Sequence, residues 1–145
     1  MINTIKIKFG GKLRTLKFNM NSDAIMCEGL SMAVGEPVTL DEFNQILFPS
    51  IEFSKDDKKE VVKVEKNPLM AYQGRFIIWL YYSGLHNYYE ASDNVEELEK
   101  INYHDVADWM MELDEETSLK VLNKFIQIHG LKNKSNNWIV TIYFF

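Results

Sequence analysis

The sequence predicts an α+β fold that is mostly α: an N-terminal β-hairpin packed on a five- to six-helix bundle, read as a single domain over residues 1–145. Three observations carry this. Apolar and polar residues alternate on both sides of Gly10-Gly11, the period-two pattern of two paired strands. Between residues 22 and 130, apolar residues recur at three- and four-residue spacing behind Asn, Thr and Asp, as in short capped helices. Hydrophobic residues make up 46% of 145, enough for one core but too short a chain for two.

The hairpin is expected over 4–18. Ile5, Ile7 and Phe9 alternate with Lys6 and Lys8, Gly10-Gly11 supplies the turn, and Leu16 and Phe18 return on one face. The Asn residues at 19 and 21 suit a helix cap, and a first helix is expected over 22–33, its apolar members Ala24, Ile25, Met26 and Leu30. Gly29 weakens it and Gly35 ends it. Thr39 with Glu42 forms a capping box, after which Leu40, Phe43, Ile46 and Leu47 share a face and Pro49 stops the helix. Residues 52–66 hold ten charged residues of mixed sign and read as a solvated loop, interrupted by a short strand at Val61-Val62-Lys63-Val64. Asn67-Pro68 is a helix-start signal. The helix behind it, expected over 69–85, is apolar nearly all round, as befits the buried centre of a small domain.

Three shorter helices follow in the helical body 22–130. Asn94 opens one with Val95, Leu98 and Ile101 spaced by three. Asn102 opens the next, with Tyr103, Val106, Met110 and Leu113 on a stripe. Asp114 opens the last, with Leu119, Leu122, Phe125, Ile126 and His129 turned inward and Gly130 as its stop. The polar loop 132–137 leads to a terminal strand over 138–145, which either joins the hairpin as a third strand or stays unpaired and offers an edge to a partner or to a second copy.

Charge and composition remove several function classes. Lys and Arg total 16 against 21 Asp and Glu, a net charge of −5, and Arg14 and Arg75 are the only arginines. A nucleic-acid surface needs a basic excess, so none is expected. The apolar runs 76–82 and 138–145 are far shorter than the roughly 20 residues that span a bilayer, and no membrane partner is expected. Cys27 is the only cysteine, which excludes an intrachain disulfide and fits a reducing cytosol. The first residues lack a signal-peptide pattern.

No catalytic or metal-binding constellation emerges. His86, His104 and His129 are too far apart for a zinc pattern, and Cys27 has no neighbouring His or base and reads as a buried thiol. The acidic pairs Glu96-Glu97 and Glu115-Glu116 fall at helix starts, where the macrodipole favours them, and Asp56-Asp57 lies in the charged loop. Gly10-Gly11 lacks the later glycines and lysine of a phosphate loop. The expectation is no catalytic residue, no metal and no cofactor.

Three segments in order resemble one family. Lys6-Ile7-Lys8-Phe9-Gly10-Gly11-Lys12 with Leu16-Lys17-Phe18 is similar to the opening hairpin of the tail assembly chaperones of long-tailed bacteriophages. Leu80-Tyr81-Tyr82-Ser83-Gly84-Leu85-His86 resembles the end of their central helix, and Ile101-Asn102-Tyr103-His104-Asp105-Val106-Ala107-Asp108-Trp109 the capped helix after it. The charged stretch 52–66 and the terminal strand have no counterpart in the resemblance. What the resemblance implies is a non-enzymatic protein of the bacterial host's cytoplasm that binds the tape measure protein, a long helical chain, and keeps it soluble until the tail tube forms. The competing expectation is another phage or mobile-element interaction protein, a tail-completion subunit or an inhibitor of a host protein.

Either reading needs an apolar surface that accepts a helical phage protein. The candidates are Trp109, Met110 and Met111 on the penultimate helix, and Trp138, Val140 and Ile142 on one face of the terminal strand.

Overall fold

A computed structural model describes residues 2–47, 51–53, 61–64 and 68–129. Strands β1 (Thr4–Phe9) and β2 (Lys12–Lys17) pair antiparallel from Thr4↔Lys17 to Phe9↔Lys12. Gly10 and Gly11 form the two-residue turn with φ of 65° and 81°, the left-handed pair that matches strand twist and that glycine adopts without a Cβ penalty. Ile7, Phe9, Leu16 and Phe18 are buried, as the alternation requires.

Helix α1 (Met20–Val34) begins two residues earlier than expected because Asn19 is its cap. The Asn19 side chain accepts from the Asn21 and Ser22 amides, while the Ser22 hydroxyl accepts from the Asn19 amide. Gly35, at φ 87°, closes its C-terminus. Helix α2 (Leu40–Leu47) starts at the expected Thr39–Glu42 box and buries Phe43, Ile46 and Leu47. Strands β3 (Ile51–Phe53) and β4 (Val61–Val64) form a second antiparallel hairpin with an irregularity at Glu52/Phe53. The short strand expected at 61–64 is therefore present, and it has a partner that the charged pattern concealed.

A 3-10 turn, Pro68–Tyr72, leads into α3 (Gln73–Ala91). This helix is the axis of the molecule, packing on α1, α2, α4, α5 and β2. It runs past the expected end at residue 85. The Gly84-Leu85-His86 stretch is not a stop, because Gly84 is where the hairpin crosses. A Cβ there would stand 2.8 Å from the Phe18 ring and 3.2 Å from the Leu16 Cβ. Helices α4 (Val95–Lys100), α5 (Tyr103–Met110) and α6 (Glu115–His129) follow at the expected caps, with Asn94, Asn102 and Asp114 accepting from the Glu97, Asp105 and Thr117 amides. The inward stripe of α6 is Val121, Leu122, Phe125 and Ile126. Leu119, expected inside, is exposed because Val121 takes the inner position. The expected terminal strand 138–145, with Trp138, Val140 and Ile142, and the stops at Pro49 and Gly130 lie outside the described residues. Among the described residues the fold is α+β and mostly helical, with an N-terminal two-stranded hairpin and six α-helices.

Candidate functional site

Helix α3 carries Gly74, Ile77, Ile78 and Tyr81 at i, i+3, i+4 and i+7, a single stripe. Helix α5 packs on α3 and brings Ala107 and Met110, followed by Met111 just past its last turn. Leu113 in the connection, with Ser118 and Leu122 of α6, completes an apolar groove of about 170 Å³. At Gly74 one end is open among the described residues, none of which lies within 4 Å of where its Cβ would be. Met111 stands at the lip with 87% of its surface exposed. On the groove wall, burial holds the Tyr81 phenol far above its ordinary pKa, with the Ser118 side chain pulling weakly the other way. Among the described residues, no Asp, Glu, His, Cys or Lys is part of the lining. Such a groove can seat an apolar side chain.

The predicted cluster on α5 divides. Met110 and Met111 meet at the groove, while Trp109 turns the other way and closes on the hairpin. Its indole meets the Phe9 ring edge-on at 5.5 Å and lies so close over Gly10 that a Cβ there would be 2.5 Å from the ring. The Arg14 guanidinium stacks 4.4 Å from the Trp109 ring centroid. Arg14 is itself buried. Its Nε donates to the Phe9 carbonyl at 2.7 Å and its Nη1 donates to the Tyr89 hydroxyl at 2.7 Å and to Glu97 at 3.4 Å. Lys12 also binds Glu97, at 2.7 Å, and the Lys12 hydrogen bond first of all holds that carboxyl below its usual range. These contacts lock the hairpin onto α3, α4 and α5.

The nearest approach to a catalytic set is Asp23 and Cys27 on α1 with His129 on α6. His129 Nδ1 donates to the Phe125 carbonyl at 2.9 Å, and Nε2 lies 2.9 Å from both oxygens of Asp23. Both ring nitrogens face acceptors, an arrangement that favours the doubly protonated ring. Burial pulls its pKa down, but the Asp23 hydrogen bond, the Phe125 carbonyl and the Asp23 charge outweigh burial and leave it raised. Burial, then the Asp23 charge, push the Cys27 thiol up. The Asp23–His129 pair clamps α1 to α6.

The chain matches no family model, no curated protein and no solved structure.

Among the described residues, no group of three His, Cys, Asp or Glu side chains could hold a metal ion, and no helix is long and apolar enough to cross a membrane. Of the groove residues, sequence reasoning named Met110 and Met111 and missed Gly74, Ile77, Ile78, Tyr81, Ala107, Leu113, Ser118 and Leu122. No sequence signal marked them, since an apolar residue on a helix that is apolar nearly all round reads as core.

Proposed function

We propose that this chain is a tail assembly chaperone of the long-tailed-phage kind, a non-catalytic protein of the bacterial host cytoplasm that binds the tape measure protein and keeps it soluble. The observation that carries the reading is the groove between α3, α5 and α6, apolar and lipped by exposed Met111. Methionine side chains are adaptable and suit a surface that must accept a series of different apolar residues along one long partner. The ordered resemblance of the hairpin, the central helix and the capped helix to that family supplies the identity of the partner.

The test is co-expression with the long helical protein encoded beside this chain, followed by affinity capture and light scattering. The expected outcome is a soluble complex that does not form when this chain is left out. An insoluble partner beside an unbound chain, or recovery of this chain from finished virions, overturns the reading.

A further inference from the structure

We infer that the α3–α5–α6 groove docks a basic amphipathic helix, one that inserts a single large apolar side chain and lays Lys or Arg on either side of it. The inference rests on this face being a partner surface, and not on which protein supplies the helix.

Size sets the anchor. A cavity of roughly 150 Å³ with apolar walls holds one benzene ring. At about 170 Å³ the groove takes one Phe, Leu or Trp side chain rather than a row of them. One buried aromatic or aliphatic anchor ringed by weaker contacts is the usual energetic pattern of such interfaces.

Charge sets the flanks. From residue 101 to residue 119 the chain has six carboxylates, Asp105, Asp108, Glu112, Asp114, Glu115 and Glu116, and no Lys or Arg. Some of these have local duties. Asp114 caps α6, Asp105 bonds Asn102, and Glu116 pairs with Lys120. Asp108, Glu112 and Glu115 are exposed and make no ion pair among the described residues. Their places follow from helix geometry. Asp108 is three residues before Met111 and shares its face, Glu112 lies between Met111 and Leu113, and Glu115 heads the stripe of Ser118 and Leu122. Among the described residues, one cation, the exposed Arg75, is next to Gly74 in the chain. An apolar slot with uncompensated carboxylates along its α5 and α6 sides is complementary to an apolar stripe between cations, and it repels an acidic helix.

The probe is a fluorescein-labelled, helix-forming 18-residue peptide with Leu and one Phe at i, i+3, i+4 and i+7 and Lys on the flanks, titrated against the full chain by anisotropy. A second peptide has Glu in place of every Lys. Methyl signals of Met110 and Met111 locate the binding. The expected results are saturable binding of the Lys peptide that moves both methyl signals, and binding of the Glu peptide weaker by about tenfold or more. The triple variant D108K/E112K/E115K is expected to lose about tenfold in affinity for the Lys peptide. The pair Glu36→Lys and Asp41→Lys, on the α1–α2 side, tests for attraction by net charge alone and is expected to stay within about twofold. Equal binding of both peptides, or equal losses in the two sets of variants, overturns the inference. So do methyl contacts to the Trp138 indole in the free chain, or methyl shifts that grow with chain concentration, since these assign the groove to the chain's own terminus or to a second copy. A tape measure complex that survives the triple variant unchanged overturns the inference and leaves the chaperone reading standing. Peptide binding without a tape measure complex does the reverse.

Discussion

His129 carries a proton that the fold itself holds in place. In the unfolded chain the ring titrates near 6.5, whereas in the folded chain the Asp23 carboxylate and the Phe125 carbonyl keep it protonated to higher pH. The folded state therefore binds more protons than the unfolded state at pH above about 6.5, and stability falls with pH over that interval. The contribution is complete below pH 6.5 and is lost as the pH rises through the raised folded value. Urea denaturation at pH 6 and at pH 8 is expected to show the higher midpoint at pH 6, and His129→Gln, which cannot be charged, is expected to flatten the difference. An unchanged pH slope in the variant rules this account out. The sequence placed His129 on the inner face of the last helix, because it continues the spacing of Leu122, Phe125 and Ile126. It did not reveal Asp23 as the partner, which lies 106 residues away on a different helix. Arg14 was equally concealed. The alternation that turns Leu16 and Phe18 inward also turns Arg14 inward, opposite Ile7, but a lone arginine in a strand gives no sign that a Trp ring and a Tyr hydroxyl wait for it.

At the scale of elements, two glycines set how closely the layers approach. Gly84 lets the hairpin cross α3 with Phe18 and Leu16 in contact with the helix backbone, and Gly29 on α1 receives the Trp79 ring, which a Cβ would approach to 2.4 Å. In an isolated helix, Gly84→Ala gains about 1 kcal/mol from propensity. Here it forces the Phe18 ring and the Leu16 Cβ away, and overpacking of that kind costs about 1–3 kcal/mol. The expected outcome is a lower urea midpoint than wild type, read by far-UV circular dichroism, although alanine is the better helix former. A raised midpoint shows that the hairpin yields without loss. The same glycine explains why the end of α3 was misplaced from sequence. Gly near the end of an apolar run reads as a stop, yet this one keeps a helical conformation and is spent on close contact. The caps were legible at five helix starts because Asn19, Thr39, Asn94, Asn102 and Asp114 act through neighbours two or three residues away. Strand β3 was not, since its pairing with β4 crosses a stretch in which charge density masks any alternation.

At the scale of the whole molecule, aromatic contacts join the layers into one core. Phe43 of α2 stacks on Phe76 of α3 at 5.8 Å and meets Phe125 of α6 at 5.5 Å, while Phe125 touches Phe18 after the hairpin edge-on at 5.7 Å. Removing Phe43 breaks the links from α2 to both α3 and α6. Phe43→Ala is expected to cost about 3–5 kcal/mol, a large part of the roughly 5–15 kcal/mol that holds a domain of this size. The groove follows a different rule. It was not legible as a site because its walls come from three helices, and each wall residue alone reads as core. Its lip, however, contributes almost nothing to folding. Met111→Ser removes a side chain that is 87% exposed, and its effect on stability is expected to stay within about 0.5 kcal/mol. The two variants therefore separate the two roles. Phe43→Ala is expected to shift the urea transition by far-UV and near-UV circular dichroism together, because one core melts as a unit. Met111→Ser is expected to leave that transition in place and still weaken the tape measure complex in a co-expression capture. Should Met111→Ser unfold the chain, the methionine belongs to the core. If it changes neither stability nor capture, the partner surface lies elsewhere on the molecule.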